Sequence, residues 1–122
     1  MNSKTNFIWN NRGGNLTSTV ANYFEPATVE HIQAIVKRAY QEHKKVRVVG
    51  DSHSWSPLCV TNDYLINTSK HFNKILKVTQ NPDRIVLEPG ATVADTLKAY
   101  RKHGVVLPMN VDVPPITIGG AI

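Results

Sequence analysis

A chain of 122 residues with 41% apolar and 19% charged side chains holds one domain's worth of core and lies outside the disordered class. Fourteen Lys and Arg against nine Asp and Glu give +5, but the charge is diffuse, which argues against a nucleic-acid surface. Cys59 is the single cysteine, so a disulfide framework and a cysteine-based zinc site are excluded. No apolar run reaches the roughly 18 residues of a membrane span, and the first residues lack a leader's apolar stretch, so a cytoplasmic protein without membrane contact is expected.

Met1 to Asn22 carries Phe7 and Trp9 and then the turn-rich run Asn10 to Asn15, with neither a helical nor a strand period. It reads as an arm laid across the surface. Tyr23 to Pro26 is a short extended piece, and Thr28 offers an N-cap with Glu30 in the first turn of a helix. The apolar positions Val29, Ile32, Ile35, Val36, Ala39 and Tyr40 form one face of that helix. The basic groups His43-Lys44-Lys45 and Arg101-Lys102-His103 fall at predicted helix ends, where cations complement the helix dipole.

Val46 to Val49 is β-branched and stopped by Gly50, which predicts a short buried strand. Gly50, Ser52, Ser54 and Ser56 then let backbone amides lie close to a ligand, so the turn around His53 can cradle an anion. It carries neither the G-x-x-x-x-G-K-[ST] nor the G-x-G-x-x-G pattern. Tyr64 to Ile66 reads as another strand, and Ile75 to Val78 with Arg84 to Glu88 as an antiparallel hairpin around Gln80-Asn81-Pro82-Asp83. Thr92 caps a second helix with Val93, Leu97 and Tyr100 on its apolar face and Gly104 as its stop. Val105 to Leu107 is expected as a strand, and the remainder holds three prolines and Asp112 before closing on Gly119-Gly120-Ala121-Ile122. Closure on an apolar run raises the expectation that the sequence is the N-terminal part of something longer.

Four motifs occur in order: Phe24-Glu25-Pro26, Arg47 to Ser54, Glu88 to Thr92, and Thr117 to Ala121. Together they resemble the PCMH-type FAD-binding domain of the vanillyl-alcohol-oxidase flavoproteins, and within it the gulonolactone, arabinonolactone and alditol oxidases. The resemblance spans residues 7 to 122. It implies an α+β (α/β) fold: after the arm at 1–22, residues 23–122 form the N-terminal part of the FAD-binding domain, with a βαβ-type first lobe over about 23–67 and the start of a second lobe over about 68–122. It also implies FAD as cofactor and an enzyme oxidising a hydroxyl carbon of a sugar lactone or polyol, with hydride passed to flavin and electrons onward to oxygen or another acceptor.

By the same resemblance Val49, Gly50, Asp51, Ser52, His53 and Ser54 wrap the FAD diphosphate, His53 is the position of a covalent flavin bond, and Asp112, Thr117, Gly119 and Gly120 form the second diphosphate-side segment. No catalytic residue and no metal ligand is assigned. Ser52 stands where the family commonly has glycine, and the family continues for several hundred residues through a cap domain, so this chain alone is expected to be inactive. Trp9 and Trp55 are candidates to stack on adenine or flavin. Bland alternatives stand beside these readings: an ordinary loop histidine for His53, a simple turn for Gly119-Gly120, core packing for Trp9 and Trp55, and a non-enzymatic module that buries its sheet edge on a second copy.

Overall fold

The computed structural model describes residues 1–105 and 115–122. In chain order the elements are β1 (Asn2–Asn10), β2 (Thr17–Glu25), α1 (Val29–Gln41), β3 (Val46–Val49), a 3-10 turn (Pro57–Cys59), β4 (Tyr64–Asn67), β5 (Ile75–Thr79), β6 (Arg84–Leu87), α2 (Val93–His103) and α3 (Ile118–Ala121). The first four strands form one mixed sheet in the order β1-β2-β4-β3, and β5 and β6 form a separate antiparallel pair. The fold is therefore mixed α/β, as expected from the four motifs. Among the described residues no helix is long and apolar enough to cross a membrane.

The expected strand-helix-strand unit is present, with an insertion. β2 and β3 both run parallel to β4, which fills the gap between them. All four residues of β4 are buried, whereas β3 is an edge strand with Val48 56% exposed. This corrects the expectation of a buried strand at 46–49. A β-branched run with Arg47 in it serves an edge, because one flank and much of one face remain open to water.

Residues 1–22 differ more. Where no strand period was expected, β1 and β2 form a nine-residue antiparallel hairpin with Asn2 opposite Glu25 and Asn10 opposite Thr17. The period is hidden because its phase shifts midway: Asn6 sits at φ 49°, and the consecutive amides of Ala21 and Asn22 both donate toward the chain entering β4. Val20 and Tyr23 consequently join the same core group despite an odd spacing.

Two apolar layers flank the sheet. Phe24, Tyr64 and Ile66 meet Ile35 and Ala39 of α1, and Trp9, Val20, Tyr23, Val49 and Leu65 form the opposite layer under Leu16, Cys59 and Val60. Only part of the predicted α1 stripe is used, since Val29, Val36 and Tyr40 are 53%, 50% and 84% exposed. Thr28 and Thr92 cap α1 and α2 by accepting from the amides of His31 and Asp95, and Gly104 ends α2 in the left-handed region at φ 68°. Val105 is buried but lies in no strand, while Val106, Leu107 and Asp112 fall outside the described residues.

Candidate functional site

The strand β3 ends at Gly50, and the chain turns away from the sheet over residues 50–56. Ser52 takes φ 62°, the left-handed region that favours glycine. That residue reverses the chain so that Asp51 and His53, two apart, meet: His53 Nε2 lies 3.0 Å from Asp51 Oδ2. Ser54 Oγ donates to the Ser56 carbonyl at 3.2 Å and closes the far side of the turn.

A second part of the chain holds this turn from outside. The β1–β2 loop reaches across, and the Arg12 amide donates to the Ser52 carbonyl at 2.8 Å. Arg12 Nη2 and Nε reach Asp51 Oδ1 and the Asp51 carbonyl at 2.7 and 3.0 Å. Asn11 Nδ2 donates to the Ser54 carbonyl, Asn15 Nδ2 to the Trp55 carbonyl, and Trp9 Nε1 to Ser52 Oγ. Asp51 in turn holds the Arg12 guanidinium above its ordinary range, first through the hydrogen bond and then through charge. These contacts join residues about forty positions apart, and no local sequence pattern announces them. The Asn-rich run was legible as a turn, but not as a clasp.

Residues 117–120 close the third side. A Cβ placed on Gly50 would lie 2.1 Å from Thr117 Oγ1, so the two segments touch only because Gly50 has no side chain. Gly119 lies against Pro89 in the same manner, with its amide donating to the Pro89 carbonyl at 2.9 Å.

Between these segments lies a cleft of about 790 Å³. Val49, Gly50, Asp51, Ser52, His53 and Ser54 line it from one side, and Thr117, Gly119 and Gly120 from the other. Nine of the ten residues expected at the site thus face one space, and the tenth, Asp112, lies outside the described residues. Val48, Trp55, Leu58, Cys59 and Ile116 form an apolar wall of which only Trp55, as a stacking candidate, was expected from the sequence. Trp55 is 69% exposed, so it is not a core residue; its ring backs onto Gly13, where a Cβ would come within 2.9 Å. Burial pushes the Cys59 thiol up, and its Sγ donates to the Val48 carbonyl, which leaves it a protonated wall residue.

The two sides offer different chemistry. The amides of Ile118, Gly119, Gly120 and Ala121 are all committed, to the carbonyls of Ala91, Pro89, Thr117 and Thr117. By contrast the amides of Asp51, Ser52, His53 and Ser54 donate to no described residue. A run of amides with no acceptor among the described residues, beside an apolar wall, suits a ligand with an anionic part and an aromatic part. FAD has both, so the residues present fit that cofactor. Among the described residues no His, Cys, Asp and Glu group could hold a metal ion.

The comparisons with known proteins agree with this geometry. The family model described as FAD binding domain matches residues 20–122. L-gulonolactone oxidase of Bos taurus is 35% identical over 100 residues, covering 82% of this chain and 22% of the bovine protein. D-arabinono-1,4-lactone oxidase of Candida glabrata is 30% identical over 123 residues, covering 98% of this chain and 23% of the yeast protein. In structure, cholesterol oxidase from Brevibacterium sterolicum superimposes with a TM-score of 0.85 at 22% identity, over 93% of this chain and 22% of the oxidase. The chain therefore spans somewhat over a fifth of these relatives' lengths. Sequence match, fold and cleft converge: the chain belongs to the FAD-binding domain family of the vanillyl-alcohol-oxidase type, alongside the L-gulonolactone and D-arabinono-1,4-lactone oxidases.

Proposed function

We propose that this chain is the flavin-holding portion of an FAD-linked oxidoreductase that oxidises a hydroxyl carbon of a sugar lactone or polyol. The observation that carries the reading is that Asp51 to Ser54, whose four amides have no acceptor among the described residues, line the same cleft as Trp55 and Gly119-Gly120. These amides are donors for the FAD diphosphate. The Gly119-Gly120 segment, whose own amides are spent, acts as a close-fitting wall. Trp55, Leu58 and Val48 offer the apolar surface against which the ring system lies.

When bound, FAD supplies the hydride acceptor. The chain's residues bind the cofactor, exclude water from one side of it and orient it. His53 is the residue that would bond the flavin: its ring nitrogen would replace one hydrogen of the flavin ring methyl, with two protons lost to solvent and two electrons taken up by the flavin, which dissolved oxygen would reoxidise. Substrate selection, general-base chemistry and the choice of electron acceptor belong to the length of the relatives that this chain does not span, so the 122 residues alone bind flavin and turn nothing over.

Purified protein incubated with FAD should become yellow and keep its visible absorbance after acid precipitation, whereas His53→Ala should bind FAD and lose it to acid. A titration in which wild-type protein fails to quench FAD fluorescence overturns the cofactor reading. Flavin reduction at an enzymatic rate with aldonolactones or alditols overturns the claim that the chain alone is inactive.

A further inference from the structure

We infer that Arg12 and Asp51 form a positioning pair that fixes the His53 imidazole with its proton on Nε2, leaving the lone pair on Nδ1 as the nitrogen available to the bound flavin. The inference rests on the flavin reading of the cleft, but the position of the proton follows from this chain's own contacts.

Asp51 and His53 are 22% and 31% exposed at their side chains, so the 3.0 Å contact between them is partly shielded from water. An ionised carboxylate has no hydrogen to give and can only accept. Nε2 must therefore be the donor, and a neutral imidazole protonated there carries its free pair on Nδ1. No described residue hydrogen-bonds Nδ1.

Arg12 keeps the carboxylate in place for this task. Its guanidinium donates to both the Asp51 carboxylate and the Asp51 carbonyl, and its amide donates to the Ser52 carbonyl, so one hydrogen bond holds the carboxylate and two hold the backbone that carries it. The pairing has a second effect. Asp51 lines a cleft whose amides, without an acceptor among the described residues, suit an anion, and a bare carboxylate there would repel it; beside Arg12 the pair is close to neutral. His53 with its acid partner and that partner's cation form one chain of contacts: Nε2 to Oδ2, then Oδ1 to Nη2 at 2.7 Å.

The test is nitrogen-15 NMR on the uniformly labelled chain at neutral pH without flavin. Wild-type His53 should give a protonated Nε2 and a bare Nδ1, with the Nε2 proton exchanging slowly enough to observe. Asp51→Asn, close in shape, should speed that exchange at least tenfold, and Arg12→Gln should speed it by a smaller factor. Amide dispersion equal to wild type marks each variant as folded, and Asp51→Ala repeats the measurement on a second side chain. A wild-type ring protonated at Nδ1, or unchanged exchange in the folded Asp51 and Arg12 variants, overturns the inference. A parallel FAD fluorescence titration separates the two claims: wild-type protein with the stated tautomer but no FAD quenching sinks the flavin reading and leaves the positioning pair standing.

Discussion

Gly50 has no room for a side chain, and the obstacle is specific. A Cβ there would stand 2.1 Å from Thr117 Oγ1 and 2.9 Å from Thr117 Cγ2. Thr117 is 3% exposed and cannot swing out to solvent at small cost. Gly50→Ala is expected to lower stability by about 1–3 kcal/mol through forced separation of the two segments. Thr117→Ala in the same chain removes the first obstacle, so urea denaturation of both single variants and the double should yield a coupling of roughly 0.5–3 kcal/mol. Strict additivity would mean that the segments do not touch. Tyr23 offers a second residue-scale check. Burial, and then the charge of Glu25, pushes its phenol from an ordinary value of 10.0 to about 12. The folded form favours the neutral phenol, so its contribution is fully present below pH 10 and is lost as pH rises toward 12. The urea midpoint should fall across that window in wild type and more shallowly in Tyr23→Phe.

At the scale of elements, α1 separates buried from decorative apolar residues. Ile35 is 1% exposed and meets Phe24, Tyr64 and Ile66, whereas Tyr40 is 84% exposed. Ile35→Ala should cost about 2–5 kcal/mol in chemical denaturation. Tyr40→Ala should stay within about 0.5 kcal/mol, and a larger loss would mean that the helix is covered on that side. Both residues belong to one legible stripe, and periodicity alone could not rank them, because the width of the sheet beneath decides which are used. The same limit explains β3 and β4. Val46 to Val49 and Tyr64 to Ile66 were both readable as strands, with Thr28 and Thr92 marking the helix starts. That β4 inserts between β2 and β3 is settled by which strand must bury both faces, a long-range property with no local signature. The hairpin at Asn2 to Glu25 escaped for a different reason: the irregularity at Asn6 and Ala21-Asn22 breaks alternation where a period-2 search would need it.

Over the whole molecule, the candidate site was legible as two motifs and not as three walls. Glycines and serines near His53, and Gly119-Gly120, carry their meaning in composition, since only small residues permit close backbone approach. The apolar wall and the Arg12 clasp do not, because Trp55 and Arg12 acquire their roles only when the sheet brings distant loops together. The exposed Trp55, Leu58 and Val48 also leave an apolar surface along the cleft.

The β1–β2 loop has a practical consequence for where the functional unit starts. The family match opens at residue 20, inside β2, while Trp9, Asn11, Arg12 and Asn15 hold the His53 turn from the segment before it. A protein begun at residue 20 would keep every matched motif yet lose an entire edge strand and all four of these anchors. Such a protein should bind FAD at least tenfold more weakly in a fluorescence titration than the 122-residue chain, and equal affinity would show that the anchors are dispensable. The family match begins at residue 20, but the contacts that tie the His53 turn down begin upstream of it, at Trp9.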